Sequence, residues 1–133
     1  MKKPSLLLTD TSGKWEVIGE PVKGDGWFGH SGGVHTVSIM FNNFIGGFAL
    51  EATLALNPSD DDWFRIMLTD DSEASEGVLQ LPENGQPSQK GIRAYTFIGN
   101  YVWLRARVIR NYISETPIPS MNVGSINRVL LAL

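Results

Sequence analysis

No cysteine occurs anywhere in the 133 residues. That absence removes disulfide frameworks, thiolate zinc sites, iron–sulfur ligation and cysteine nucleophiles, and it leaves the chain indifferent to the redox state of its surroundings. Histidine is nearly as scarce, with His30 and His35 alone. Five apart around the start of a strand, the two are expected to point to opposite faces, and they lack the helical i, i+4 spacing of a zincin pair. No apolar run approaches the roughly 20 residues that span a bilayer. Leu6-Leu7-Leu8 behind Lys2 and Lys3 is too short for a signal-peptide core. A soluble chain made in a cytoplasm, with no membrane partner, is the expectation. A net charge of −3 gives no basic surplus for a phosphate backbone, so nucleic acid is not an expected partner either.

Also missing is any long stretch with an apolar period of 3.6 residues. What is present instead is fourteen glycines and seven prolines at short intervals, with alternating apolar and polar residues between them. In Val34 to Phe41, residues Val37, Ile39 and Phe41 share one face. In Phe48 to Leu56, residues Phe48, Leu50, Ala52, Leu54 and Leu56 share one face. The two runs read as a hairpin joined through Asn42 to Gly47, whose Asn and Gly residues tolerate positive φ. A second tight hairpin is expected at Gly99-Asn100. Further strands are expected at Ser5–Thr9, Lys14–Glu20, Trp63–Leu68, Val78–Leu81, Arg93–Ile98, Tyr101–Asn111 and Ser125–Leu131. Many short, half-buried strands in one chain of this length predict an all-β fold, an antiparallel two-sheet β-sandwich of the jelly-roll kind. It would form a single domain over residues 1–133, with 1–13 as an arm or edge strand and 82–91 as an exposed loop.

Several strings invite a chemical reading and are answered by their context. Gly29-His30-Ser31-Gly32-Gly33 matches G-x-S-x-G, yet a strand-like segment follows where the nucleophile elbow needs a helix. His35 is expected on the polar face of its strand, hydrogen-bonded to a neighbour. Seven of the fourteen acidic residues fall between 60 and 76, beginning with Asp60, Asp61 and Asp62, but without the spacing of an EF-hand. They read as solvated loops, and Asn57-Pro58-Ser59-Asp60 reads as a plain turn. No catalytic residue, metal or cofactor is expected. Four tryptophans, Trp15, Trp27, Trp63 and Trp103, offer either core packing or platforms on which sugar C–H faces stack, with Trp27 and Trp63 the candidate platforms.

Charge is unevenly spread along the chain. Residues 90–133 hold six basic residues against one acid, a net +5, and residues 1–89 hold five against thirteen, a net −8. Alternation through Tyr101 to Ile109 sets Tyr101, Trp103, Arg105 and Arg107 on one face and Val102, Leu104, Ala106 and Val108 on the core face. Trp and Arg dominate interface hot spots, so Trp103, Arg105 and Arg107 are the expected contact residues, with the acidic stretch at Asp60, Asp61 and Asp62 as their complement on another copy. The alternative is that these arginines meet acids of their own molecule.

Beyond these readings stands an ordered set of strings: Asp25-Gly26-Trp27-Phe28-Gly29, Val34-His35-Thr36-Val37, Asn43-Phe44, Asp62-Trp63-Phe64, Gly99-Asn100-Tyr101-Val102-Trp103-Leu104-Arg105-Ala106 and Val123 to Leu131. Together these resemble small structural proteins of tailed-bacteriophage particles, such as those of cyanophages and marine myophages. The resemblance implies a β-sandwich component of the virion, on capsid, neck or tail, without enzymatic activity or cofactor. It would work through contacts with other virion proteins and copies of itself. A host-surface glycan is the alternative partner.

Overall fold

The computed structural model describes residues 5–11, 16–29, 32–68, 77–81, 88–109 and 124–133. They form an antiparallel β-sandwich of two sheets packed face to face. In chain order the strands are β1 (Ser5–Thr9), β2 (Glu16–Ile18), β3 (Val22–Lys23), β4 (Val34–Phe44), β5 (Gly46–Thr53), β6 (Phe64–Arg65), β7 (Leu79–Leu81), β8 (Gln89–Ile98), β9 (Trp103–Ile109) and β10 (Ser125–Ala132). Sheet A has the order β1-β10-β4-β8. Sheet B runs β2-β9-β5-β6, with β3 also pairing β9 and β7 also pairing β5.

Period-2 alternation builds the core as the sequence predicts. Val37, Ile39 and Phe41 of β4, with Ile126, Val129 and Leu131 of β10, face Phe48, Leu50 and Ala52 of β5 and Leu104, Ala106 and Val108 of β9. Each inward residue removes apolar surface from water, the main favourable contribution to the fold.

Both expected hairpins are corrected. β4 pairs with β10 and β8, and β5 pairs with β9, β6 and β7, so the chain leaves sheet A after Phe44 and enters sheet B at Gly46 with only Ile45 between. The Gly99-Asn100 turn likewise carries the chain from β8 in sheet A to β9 in sheet B. Asn43 takes φ 53°, so the positive-φ residues serve a corner between layers. Gly124 packs against that corner, where any Cβ would collide with the Asn43 carbonyl oxygen.

Other boundaries shift too. β5 ends at Thr53, which leaves Leu54 and Leu56 exposed outside it. β8 begins at Gln89, so residues 89–91 of the expected loop are strand, while 82–87 lie outside the described residues. His35 shares the inward face of Val37 and is fully buried, since two positions along a strand preserve the face. Tyr101 does not share the outward face of Trp103. It packs against the core, its ring lying where a side chain on Gly99 would be.

Candidate functional site

Sheet B carries its polar residues on the outer face, and β9 supplies the central row. Trp103, Arg105 and Arg107 alternate with buried Leu104, Ala106 and Val108, as their spacing predicts. Across the ladder, Arg105 stands opposite Glu51 of β5, and Glu51 stands opposite Arg65 of β6. Glu51 is 5% exposed and accepts from Arg105 Nε at 2.7 Å, while an Arg107 terminal nitrogen lies 3.6 Å from its other oxygen. Arg107 also donates to Glu16 of β2 at 2.5 and 3.2 Å. The guanidinium of Arg107 is held above its ordinary pKa, first by the hydrogen bond to Glu16 and then, against the opposing effect of burial, by the charge of Glu51. Both arginines therefore meet acids of their own molecule. Neither Glu51 nor Glu16 stood out in the sequence, because cross-strand pairing is set by topology.

Asp60, Asp61 and Asp62 form one exposed 3₁₀ turn. Asp62 closes it, accepting from the backbone N–H and the hydroxyl of Ser59 at 2.7 and 3.1 Å. The adjacent Trp63 has the Arg105 guanidinium 4.1 Å from its ring centroid, so one ring face is taken. The remaining acids of the 60–76 stretch beyond Asp62, with Trp15, His30 and Ser31, lie outside the described residues. Among the described residues no group of three or more His, Asp or Glu could hold a metal ion.

Trp27 and Trp103 come together at one end of this face, centroids 4.9 Å apart and planes inclined by 56°, with the Lys23 ammonium 4.5 Å from the Trp27 ring. The turn that presents Trp27 is fixed from below. Gly24 and Gly26 donate to the carbonyls of Val102 and Tyr101 at 2.9 and 2.8 Å, an approach so close that a side chain on either glycine would strike the 100–101 backbone. Buried His35 completes the anchorage. Its Nδ1 lies 2.9 Å from the Gly33 carbonyl, its Nε2 lies 3.3 Å from the Asp25 N–H, and the Asp25 carboxylate accepts from Gly33 N–H at 3.0 Å. A carbonyl only accepts and an N–H only donates, which assigns the proton to Nδ1 and leaves Nε2 bare. His35 is therefore a positioning residue within the fold.

Two hollows flank the Trp103 ring. One of about 520 Å³ is lined by Pro21, Lys23, Phe28 and Trp103 among others, and one of about 440 Å³ by Pro21, Leu56, Asn57, Pro58 and Trp103. Trp103 Nε1–H is committed to the Leu56 carbonyl at 3.0 Å.

A second surface escaped the sequence reading. Outward residues of sheet A include Leu6 of β1, Val34, Thr36, Ser38 and Met40 of β4, Ile92, Ala94, Thr96 and Ile98 of β8, and Leu130 of β10. Ile92 and Ile98 are 64% and 75% exposed, and Val34 and Leu6 about half. The signal was the strict alternation of β8, where Arg93, Tyr95 and Phe97 take the inward positions.

No protein family, curated protein or solved structure matches this chain.

Proposed function

We propose that this chain is a non-enzymatic structural component of a tailed-bacteriophage virion, acting through protein–protein contacts in a symmetric assembly. The observation that carries the reading is the outer face of sheet A, where Val34 and Ile98 stand exposed side by side on β4 and β8, with Ile92 further along β8 and Leu6 on the opposite edge strand β1. Large apolar side chains exposed on one sheet face, with only small Thr, Ser and Ala residues between them on β4 and β8, mark an interaction site. Four strands of five, eight, eleven and ten residues, at about 4.8 Å spacing and about 3.3 Å rise per residue, give roughly 540 Å² in projection. That is of the order of the ~800 Å² each partner contributes to a standard interface. The virion setting rests on the sequence resemblance. Arg105 and Arg107, with their charge already met by Glu51 and Glu16, act as struts behind that contact instead of making it.

Sedimentation velocity on the purified chain tests this, alone and with proteins from disrupted phage particles. Wild type should associate with itself or with a particle protein, and Ile92→Lys with Ile98→Lys should abolish association without changing the fold. A strict monomer at high concentration that retains no particle protein would overturn the proposal.

A second reading, recognition of a host-surface glycan, is favoured by the paired hollows around Trp103.

A further inference from the structure

We infer that the cleft around Trp103 takes an acidic saccharide, its sugar ring stacked on the aromatic wall and its carboxylate held by Lys23. This rests on the glycan reading and adds the charge of the ligand. Each hollow falls within the roughly 300–1,000 Å³ of small-ligand sites, and they share Pro21 and Trp103, so they adjoin as two successive subsites would. Phe28, 46% exposed, adds a second aromatic ring to the larger one.

The side-chain set favours a sugar over a peptide. A peptide laid in a groove is held largely through its backbone carbonyls, which need N–H donors along the walls. Here Pro21 and Pro58 have no N–H, and the Trp103 indole N–H is spent on Leu56. What the side chains of the walls offer is ring face, the aliphatic Val22, Leu56 and Leu133, the hydroxyl of Ser5, the amide of Asn57 and the ammonium of Lys23, which has no carboxylate within ion-pair distance among the described residues. Ring face suits the C–H side of a pyranose, an amide or hydroxyl suits a sugar hydroxyl, and a cation resting on an aromatic ring with no carboxylate partner among the described residues suits a carboxylate.

Titration calorimetry with tetragalacturonate and with neutral cellotetraose tests the inference on the full chain. Tetragalacturonate should bind, with affinity falling by up to about fivefold as salt rises to a level that screens the pair. Cellotetraose should bind more weakly. Lys23→Gln should cost the acidic sugar about fivefold, the scale of one exposed ion pair, and leave the neutral one unchanged. Phe28→Ala should weaken both, with the denaturation midpoint serving as control for folding. Equal affinity for the two sugars, or an acid preference that survives Lys23→Gln, would overturn the charge assignment and leave glycan binding standing. Silence towards both would overturn glycan binding as well, and capture of a proline-rich acidic peptide in their place would assign the cleft to a protein.

Discussion

The amide N–H of Asp25 reaches Nε2 of His35 across 3.3 Å inside the sandwich, joining the turn that carries Trp27 to the first residues of β4. On its other side the same imidazole engages the Gly33 carbonyl and stacks on Phe97, with centroids 5.2 Å apart and planes within 4°. One ring therefore fixes both the aromatic cleft and the end of sheet A.

Replacing it with an apolar ring of similar size separates the two roles. His35→Phe should preserve the stacking but leave the Asp25 N–H and one carbonyl interaction unmet, lowering stability by about 1–3 kcal/mol. Urea denaturation measures that loss, and tryptophan emission should report a loosened Trp27–Trp103 pair. Unchanged stability would show that the ring acts only through its bulk.

Glu51 should matter far more than Glu16. Glu51→Gln leaves the half-buried Arg105 without its counter-charge and should cost about 2–4 kcal/mol, whereas Glu16→Ala removes an exposed partner and should cost under about 1 kcal/mol. The two denaturation midpoints, compared with wild type, decide it.

Arg107 gives a pH prediction with a definite sign. Its pKa is raised on folding, so the stabilisation is fully present below the unfolded value and is lost only as pH climbs through the folded one, in strong alkali. Midpoints of wild type and Arg107→Met should therefore run parallel between about pH 6 and 10, with no convergence traceable to this residue.

Two glycines of one turn should respond for different reasons. Gly26→Ala meets the Asn100 carbonyl and should cost about 1–3 kcal/mol, with the Trp27 turn displaced. Gly29→Ala has open space around it but φ 73°, and should cost about 1 kcal/mol from backbone conformation alone. Calorimetric melting of both variants measures the difference.

Alternation made the core faces of β4, β5 and β9 legible in the sequence, and with them the sandwich class. Partner choice was not legible. Asn43, Gly46 and the Gly99-Asn100 pair supply the backbone freedom that a hairpin needs, and a corner between sheets needs the same freedom. Local chemistry cannot separate the two, because the difference lies in which distant strand takes up the hydrogen bonds. The same blindness hid Glu51, which alternation sets only on the face opposite Phe48, Leu50 and Ala52, with no sign that two arginines of β9 would meet it there.

A single residue, Ile45, separates two long strands of opposite layers, and β10 fills the gap between β1 and β4. Neither layer can be completed from a continuous piece of chain, so every described ladder except β5–β6 waits on a segment made much earlier or much later. Such non-local wiring predicts slow, all-or-none acquisition of structure, on the millisecond-to-second scale of β-rich domains. A nascent copy would display unpaired strands until β10 docks, which makes timely supply of that last strand the step at which productive folding and aggregation diverge.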